Sequence, residues 1–276
     1  MTSALRLAEI HVYPLKGARG ISLDRAEARI AGLRNDRRFL LLDANGTFLT
    51  QRSHPALALV TTAIDHGASS LTLGTPGGGT VAIPLSPESA GGARRVVRVW
   101  DDDVEAVDVH GPVVELLSDH LGGHFSLVFM PDDVVRPVEA PYGAPGDRVG
   151  FADAYPYLLA TTASLADLNA RVPEPVPMNR FRPNLVVEGG GAFDEDRHAR
   201  VRIGGLTYRM PKRCARCQVT TVDQVTGVVG KEPLRTLASY RTTSNKVYFA
   251  QNLVPDAEGS LAVGDAVDYL EPLRVS

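Results

Sequence analysis

The chain reads FLLLDANGTFLT from Phe39 to Thr50, and this segment is the strongest indication of the fold class. Its two apolar runs flank Asn45-Gly46, the dipeptide most typical of a β-hairpin closed by a type I′ turn. Upstream, apolar residues between Leu5 and Val12 predict an extended segment that stops at Pro14. The beginning of the chain is therefore predicted to be rich in β-strands.

Short β segments recur on either side of this hairpin at a spacing of roughly 8–12 residues, which is typical of a closed or nearly closed antiparallel barrel. One helix is predicted at Pro112–Leu121, with proline in its first turn and Gly122 after its end. The further strands predicted in this half are Ala58–Ile64, Ser70–Leu73, Thr80–Pro84, Arg95–Trp100, Val104–Val109 and Ser126–Met130.

A stretch rich in Pro, Asp and Gly, residues 131–150, is predicted to join two domains, 1–130 and 131–276. The second domain mixes strands with two short helices, 164–171 and 233–241. The first of these helices opens on a capping-box-like pair, Ser164 and Asp167. The predicted strands are 158–160, 184–188, 200–203, 207–210, 218–222, 247–253 and 262–270. The fold class is mainly β with a few helices (α+β), and weak βαβ periodicity argues against a doubly wound fold.

The composition is that of an ordinary globular protein. Apolar residues make up 44% of the 276 residues, charged residues 22%, and the net charge is −3. This balance argues against a strongly basic nucleic-acid binder, and no apolar run approaches the ~20 residues of a membrane span. With two cysteines and no signal-peptide pattern at the start, we expect a cytoplasmic protein.

Cys214-Ala215-Arg216-Cys217 is the sharpest local feature. A Cys-x-x-Cys motif suits half of a zinc site, a redox pair or two buried inert thiols. Lys212, Arg213 and Arg216 surround the pair, and nearby cations stabilise a thiolate. The charge pattern therefore favours a nucleophile or a ligand for a soft metal.

Two basic segments are candidate anion sites. One is Asn179-Arg180-Phe181-Arg182-Pro183-Asn184, and the other combines Lys16 in a Pro/Gly turn with the run from Arg34 to Arg38. Arginine side chains suit fixed binding of phosphate or carboxylate. Solvated surface charge is the alternative for both segments. The chain contains no Walker loop, no Gly-x-Ser-x-Gly and no His-Glu-x-x-His motif.

Together, these motifs resemble the MOSC family, named after the molybdenum cofactor sulfurase C-terminal domain, and in particular the branch of the mitochondrial amidoxime-reducing component and its bacterial relatives. Each motif is modest, but their joint order along nearly the whole chain is specific. The resemblance implies a MOSC β-barrel domain preceded by an N-terminal β-barrel domain. The matching segments are residues 12–17, 33–37, 151–156, 164–169, 181–184, 214–223, 231–234 and 263–265.

The resemblance also implies a bound molybdenum cofactor, in which molybdenum is held by molybdopterin. Cys217 matches the family's metal ligand, whereas Cys214 matches a cysteine that is not the ligand. Asp153 resembles a carboxylate near the metal that handles protons. The remaining residues expected to hold the pterin and its phosphate are Lys16, Arg37, Arg182, Asn184 and Arg216.

The activity implied is reduction of small N-hydroxylated substrates such as amidoximes. Because the chain has no further cysteines for an iron–sulfur cluster, we expect electrons from a separate reductase or ferredoxin-type protein, with no nucleic acid and no membrane involved. Two alternatives stay open: a sulfur carrier with a persulfide on Cys217, and a module that binds or delivers the cofactor. Pyridoxal phosphate is a further ligand that the resemblance leaves open.

Overall fold

The computed structural model describes residues 4–87 and 91–273. Within this range the protein is mainly β, as predicted, with three α-helices. In chain order the strands are β1 (Arg6–Val12), β2 (Ile21–Leu23), β3 (Arg25–Arg29), β4 (Gly32–Leu33), β5 (Phe39–Leu42), β6 (Thr61–Asp65), β7 (Ser70–Gly74), β8 (Thr80–Pro84), β9 (Arg94–Val99), β10 (Asp102–Val109), β11 (Ser126–Phe129), β12 (Tyr157–Thr161), β13 (Leu185–Glu188), β14 (His198–Ile203), β15 (Leu206–Arg209), β16 (Arg213–Arg216), β17 (Thr242–Thr243), β18 (Lys246–Pro255), β19 (Gly259–Ala262) and β20 (Val267–Pro272). The helices are α1 (Pro112–Leu121), α2 (Thr162–Asn169) and α3 (Leu234–Tyr240).

The strands form four sheets. The largest runs β2-β1-β13-β12-β18-β15-β14-β20, with β16 and β17 also paired to β18. The smaller sheets run β5-β11-β10-β9, β19-β3-β4 and β6-β7-β8. In none of these orders, within the described residues, do the two end strands pair. The predicted fold class, mainly β with a few helices, is confirmed, although the sheets of the described residues do not close on themselves, and β12 and β13 in the second half run parallel.

The two halves of the chain share strands. β1 pairs antiparallel with β13, and β3 pairs antiparallel with β19 near the C-terminus. A bulge in β1 lets both Leu7 and Ile10 face the core under the large sheet, where they pack with Val187. A second core lies between the sheets β5-β11-β10-β9 and β6-β7-β8 and helix α1. The division at residue 130 stays a prediction.

Several local predictions differ from the structure. Gly46 has a positive φ of 79° and closes a turn onto the Asp43 carbonyl, but Asn45 does not share the positive φ that a type I′ turn requires. Helix α2 is capped by Thr161 rather than Ser164, since the Thr161 hydroxyl accepts from the Ser164 N–H. The predicted strand 262–270 is two strands separated by a turn at Gly264.

The predicted strand 218–222 is a 3₁₀ turn over Gln218–Thr221. The hydroxyls of Thr220 and Thr221 donate to the carbonyls of Cys217 and Gln218, at 3.0 and 2.8 Å. These local bonds compete with strand pairing and override the β-propensity of the threonines. As a result, Cys217 stands where β16 ends and the turn begins. No helix among the described residues is long and apolar enough to cross a membrane.

Candidate functional site

A single open cleft, with about 900 Å³ of space, collects every site residue that the sequence analysis singled out. These residues come from five separate segments of the chain. The segments contribute Lys16, Arg37, Asp153, the pair Arg182 and Asn184, and the pair Arg216 and Cys217. The structure therefore brings the predicted residues together, while the role of each remains a proposal.

The large sheet explains why distant segments meet. Lys16 follows β1, Asp153 precedes β12 and Asn184 precedes β13. Because β1 runs antiparallel to β13 and β12 runs parallel to it, the end of β1 and the starts of β12 and β13 lie at one edge. Strand β16 lies against β18 and brings Cys217 to the same cleft.

Lys16 and Asp153 form one ion pair. The buried Lys16 ammonium donates to Asp153 Oδ1 at 2.5 Å and to the Phe151 carbonyl at 2.7 Å. Burial lowers the pKa of Lys16, and the Asp153 carboxylate opposes that change. Burial would raise the pKa of Asp153, but the charge of Lys16, followed by that of Arg52, holds it well below its usual range. Asp153 is therefore ionised at neutral pH.

Arg37 and Arg182 enclose the ring of Tyr13. Their guanidinium carbons lie 4.4 and 4.3 Å from the ring centroid. Both arginines have a left-handed backbone, with φ of 46° and 54°. That conformation costs a non-glycine residue about 1–2 kcal/mol, and such strain concentrates at functional sites. Burial lowers the pKa of Arg182 to about 10, so its side chain remains charged at neutral pH.

Asn184 is buried, and its polar atoms contact the protein itself. Its Oδ1 accepts from Arg37 Nη1 at 3.0 Å and from the Leu158 N–H at 3.3 Å, and its Nδ2 donates to the His11 carbonyl. Arg37 is also paired with the buried Asp36 carboxylate at 2.6 Å. This geometry fixes the Arg37 guanidinium, so Asn184 acts on the cleft through Arg37.

The two cysteines line the cleft in different surroundings. Cys217 Sγ lies 3.7 Å from Arg52 Nη1, whereas Cys214 Sγ lies 2.9 Å from Arg216 Nη1. The second nitrogen of Arg216 donates to the Phe181 carbonyl at 2.8 Å. Its buried Nε has no hydrogen-bond partner among the described residues. Each thiol is therefore close to a fixed cation.

The redox and zinc interpretations of the Cys-x-x-Cys motif fit this geometry poorly. Cys214 lies in β16, and Cys217 is also extended, with φ −125° and ψ −177°. Cα atoms three residues apart along a strand are ~10 Å apart, which exceeds the ~7 Å limit for a disulfide. Residues 4–87 and 91–273 contain no group of three or more His, Cys, Asp or Glu side chains placed to hold a metal ion.

Comparison with known proteins now identifies the family. The profile of the MOSC N-terminal beta barrel domain matches residues 4–124, and that of the MOSC domain matches residues 146–268. Human mitochondrial amidoxime-reducing component 1 is 31% identical over 284 residues, which cover 96% of this chain and 82% of the human protein. The chain belongs to the MOSC family.

Two further relatives are similar to this chain over most of its length. Mitochondrial amidoxime reducing component 2 of Bos taurus is 33% identical, covering 95% of this MOSC protein and 82% of the bovine one. Mitochondrial amidoxime-reducing component 1 of Danio rerio is 35% identical, covering 87% of this chain and 76% of the fish protein. The MOSC resemblance in the sequence is thereby confirmed, together with the N-terminal β-barrel domain.

One charged residue of the MOSC cleft, Arg52, was not predicted from the sequence. This side chain lies beside Cys217, and its guanidinium carbon is 4.8 Å from the ring centroid of Trp100. Arg52 follows the Phe39–Thr50 hairpin, where the sequence carries no distinctive pattern. Its contact with Cys217 joins residues 165 positions apart, which only the folded chain reveals.

Proposed function

We propose that this MOSC protein uses a molybdenum cofactor to reduce N-hydroxylated compounds, with electrons from a separate reductase or ferredoxin-type protein. One observation carries the proposal: a thiol, Cys217, shares its cleft with five cationic side chains and one carboxylate. The names of the relatives supply the reaction class, since they are amidoxime-reducing components.

The chemistry of the cleft fits such a cofactor. A pterin phosphate is anionic and needs converging cations, and a metal with sulfur ligands needs a soft thiolate. Lys16, Arg37, Arg182 and Arg216 supply the cations, and Cys217 supplies the thiolate. The unpartnered Nε of Arg216 is a buried donor that a bound acceptor would satisfy.

We assign the holding residues on this basis. Cys217 would ligate molybdenum, and Lys16, Arg37, Arg182 and Arg216 would hold the pterin and its phosphate. Asn184 keeps Arg37 in position through the contact of 3.0 Å. When bound, the cofactor supplies the two-electron chemistry that cleaves the N–O bond, while the protein provides orientation and charge.

The ion pair between Lys16 and Asp153 would orient the substrate and hold a proton. Because its pKa is depressed, Asp153 is ionised and accepts a hydrogen bond from the N–OH group. Lys16 Nζ carries the proton beside it, 2.5 Å from Asp153 Oδ1. Since burial lowers the pKa of Lys16, this ammonium releases its proton more readily than an exposed lysine.

The test is a matched pair of cysteine variants made in a host that synthesises the cofactor. We expect Cys217→Ser to lose molybdenum and the reduction of benzamidoxime with a competent electron donor, and its thermal unfolding to remain cooperative. Cys214→Ser, the same change three positions away, should retain both the molybdenum and the reduction of benzamidoxime. Molybdenum is measured by plasma mass spectrometry.

Other outcomes point to the alternatives. Full benzamidoxime reduction by Cys217→Ser would exclude the ligand role. Labile sulfane sulfur without molybdenum in the wild-type protein would indicate the sulfur carrier, and bound cofactor without any N–O reduction would indicate the delivery module. The cytoplasmic location and pyridoxal phosphate binding stay predictions.

A further inference from the structure

Among the described residues, Arg52 is the one cleft cation whose side chain contacts no carboxylate or carbonyl oxygen. The other four cations each donate to a carboxylate or carbonyl oxygen within the protein. Within the described residues, the side chain of Arg52 makes one polar contact, with Cys217 Sγ at 3.7 Å. The residue is also exposed to solvent. An arginine without an oxygen partner is therefore present beside the proposed metal ligand.

Aromatic stacking holds Arg52 in place without neutralising it. Its guanidinium carbon is 4.8 Å from the ring centroid of Trp100, and Trp100 packs edge-on against Phe48 at 5.0 Å. Trp100 lies in the tight turn between β9 and β10, with a positive φ of 57°. Stacking uses the face of the guanidinium and leaves the N–H groups in its plane available. Those groups match the two oxygens of a carboxylate.

We propose that Arg52 is a substrate-recognition residue that selects N-hydroxylated substrates carrying a carboxylate. This inference rests on the proposed function and names the substrate class for the same cleft. The N–O group would approach Cys217 and Asp153, and the carboxylate would pair with Arg52 at the exposed side. A neutral amidoxime has no anionic group that could pair with the Arg52 guanidinium.

The chain provides its own probe for binding, because Trp100 is its single tryptophan. Without an electron donor, cofactor-loaded protein is titrated with benzamidoxime and with its ring-carboxylated form while Trp100 fluorescence is followed. We expect the carboxylated form to bind wild type about tenfold more tightly or better, as suits a charge-assisted hydrogen bond. Arg52→Gln should abolish this preference, and Arg52→Lys should retain part of it.

Arg202→Gln is the matched control, since it removes one arginine charge outside the cleft. It should leave the preference of wild type unchanged. Steady-state reduction of the two compounds should show the same pattern, with the ratio of their KM values moving toward one in Arg52→Gln. The molybdenum content of Arg52→Gln is measured alongside and should match that of wild type.

The possible outcomes distinguish a failure of the role of Arg52 from a failure of the proposed reductase function. Equal affinity of wild type for both compounds would overturn the role of Arg52, even if both are reduced. Loss of molybdenum in Arg52→Gln would assign the residue to the cofactor and also overturn it. A carboxylate preference in fluorescence, without reduction of either compound, would support recognition by Arg52 and reject the reductase activity.

Discussion

Tyr13 lies between two positively charged side chains, Arg182, which is buried, and Arg37, which is largely buried. The guanidiniums of Arg37 and Arg182 would repel each other, but each lies against the ring of Tyr13. The Tyr13 hydroxyl donates to the Pro183 carbonyl at 3.0 Å, which fixes the ring. Burial raises the pKa of Tyr13 to about 12, so the phenol stays neutral at physiological pH. The ring therefore separates two cationic groups without reducing their net charge.

A pair of variants tests this role of Tyr13. We expect Tyr13→Leu to reduce the molybdenum content by roughly thirtyfold at limiting cofactor, because two cation–π contacts of about 1 kcal/mol each are lost. Tyr13→Phe keeps the ring and should stay within about twofold of wild type. Molybdenum per protein and thermal unfolding are measured for both. An equal loss in Tyr13→Phe would show that the hydroxyl, rather than the ring, positions the arginines.

At the residue scale, the motifs picked out residues that share one cleft, but they did not reveal the contacts between those residues. Ordered motifs were sufficient to name Lys16, Asp153 and Cys217, although separate segments contribute them. The ion pair between Lys16 and Asp153 spans 137 positions and depends on tertiary packing. Arg52 has no local pattern around it, so nothing in the sequence distinguished it from a surface arginine.

At the scale of elements, local signals succeeded where no tertiary contact competed with them. Helix α1 has the predicted bounds because Pro112 opens it and Gly122, with φ 71°, closes it. At the start of α2 the outcome is different. The Ser164 hydroxyl donates to the buried Glu195 carboxylate at 2.7 Å, and Thr161 becomes the cap. Glu195 lies 31 positions from Ser164, so the local capping pattern did not reveal it.

Glu195 makes the stability of this region depend on pH. It is fully buried, and among the described residues its carboxylate forms no ion pair and accepts hydrogen bonds from the hydroxyls of Thr161 and Ser164. Burial raises its pKa from 4.5 to about 7. The native state binds this proton more tightly than the unfolded state does. The stabilisation that protonated Glu195 provides is therefore complete below pH 4.5 and is lost as the pH rises through about 7.

We expect Glu195→Gln to gain stability over wild type as the pH rises from 5 to 8, by roughly 3 kcal/mol at most. The amide keeps the shape of the side chain and never ionises. Urea unfolding at pH 5, 6, 7 and 8 measures the difference. Glu174→Gln, at an exposed position, is the control and should show no such trend. A difference between Glu195→Gln and wild type that does not change with pH would contradict the assignment.

At the scale of the whole molecule, the two halves are interleaved by their strands. The pairing of β1 with β13 places Leu7, Ile10 and Val12 in a core that also contains Val201 and Tyr208. The pairing of β3 with β19 is a second case in which strands from the two halves pair with each other. The sequence predicted two halves from the loop 131–150, but strand pairing between them depends on contacts more than 150 residues apart. Strand pairing between such distant segments produces no recognisable pattern in the local sequence.

Cleavage of the folded chain tests this interleaving. We would insert a protease site in the exposed loop between residues 140 and 146 and cleave the native protein. Because β1 and β13 would each expose an unpaired edge and apolar residues on separation, we expect the fragments to co-elute in gel filtration. They should separate only in denaturant, at a concentration near that which unfolds the intact chain. Separation in native buffer would mean that each half folds independently and that the exchanged strands contribute little to stability.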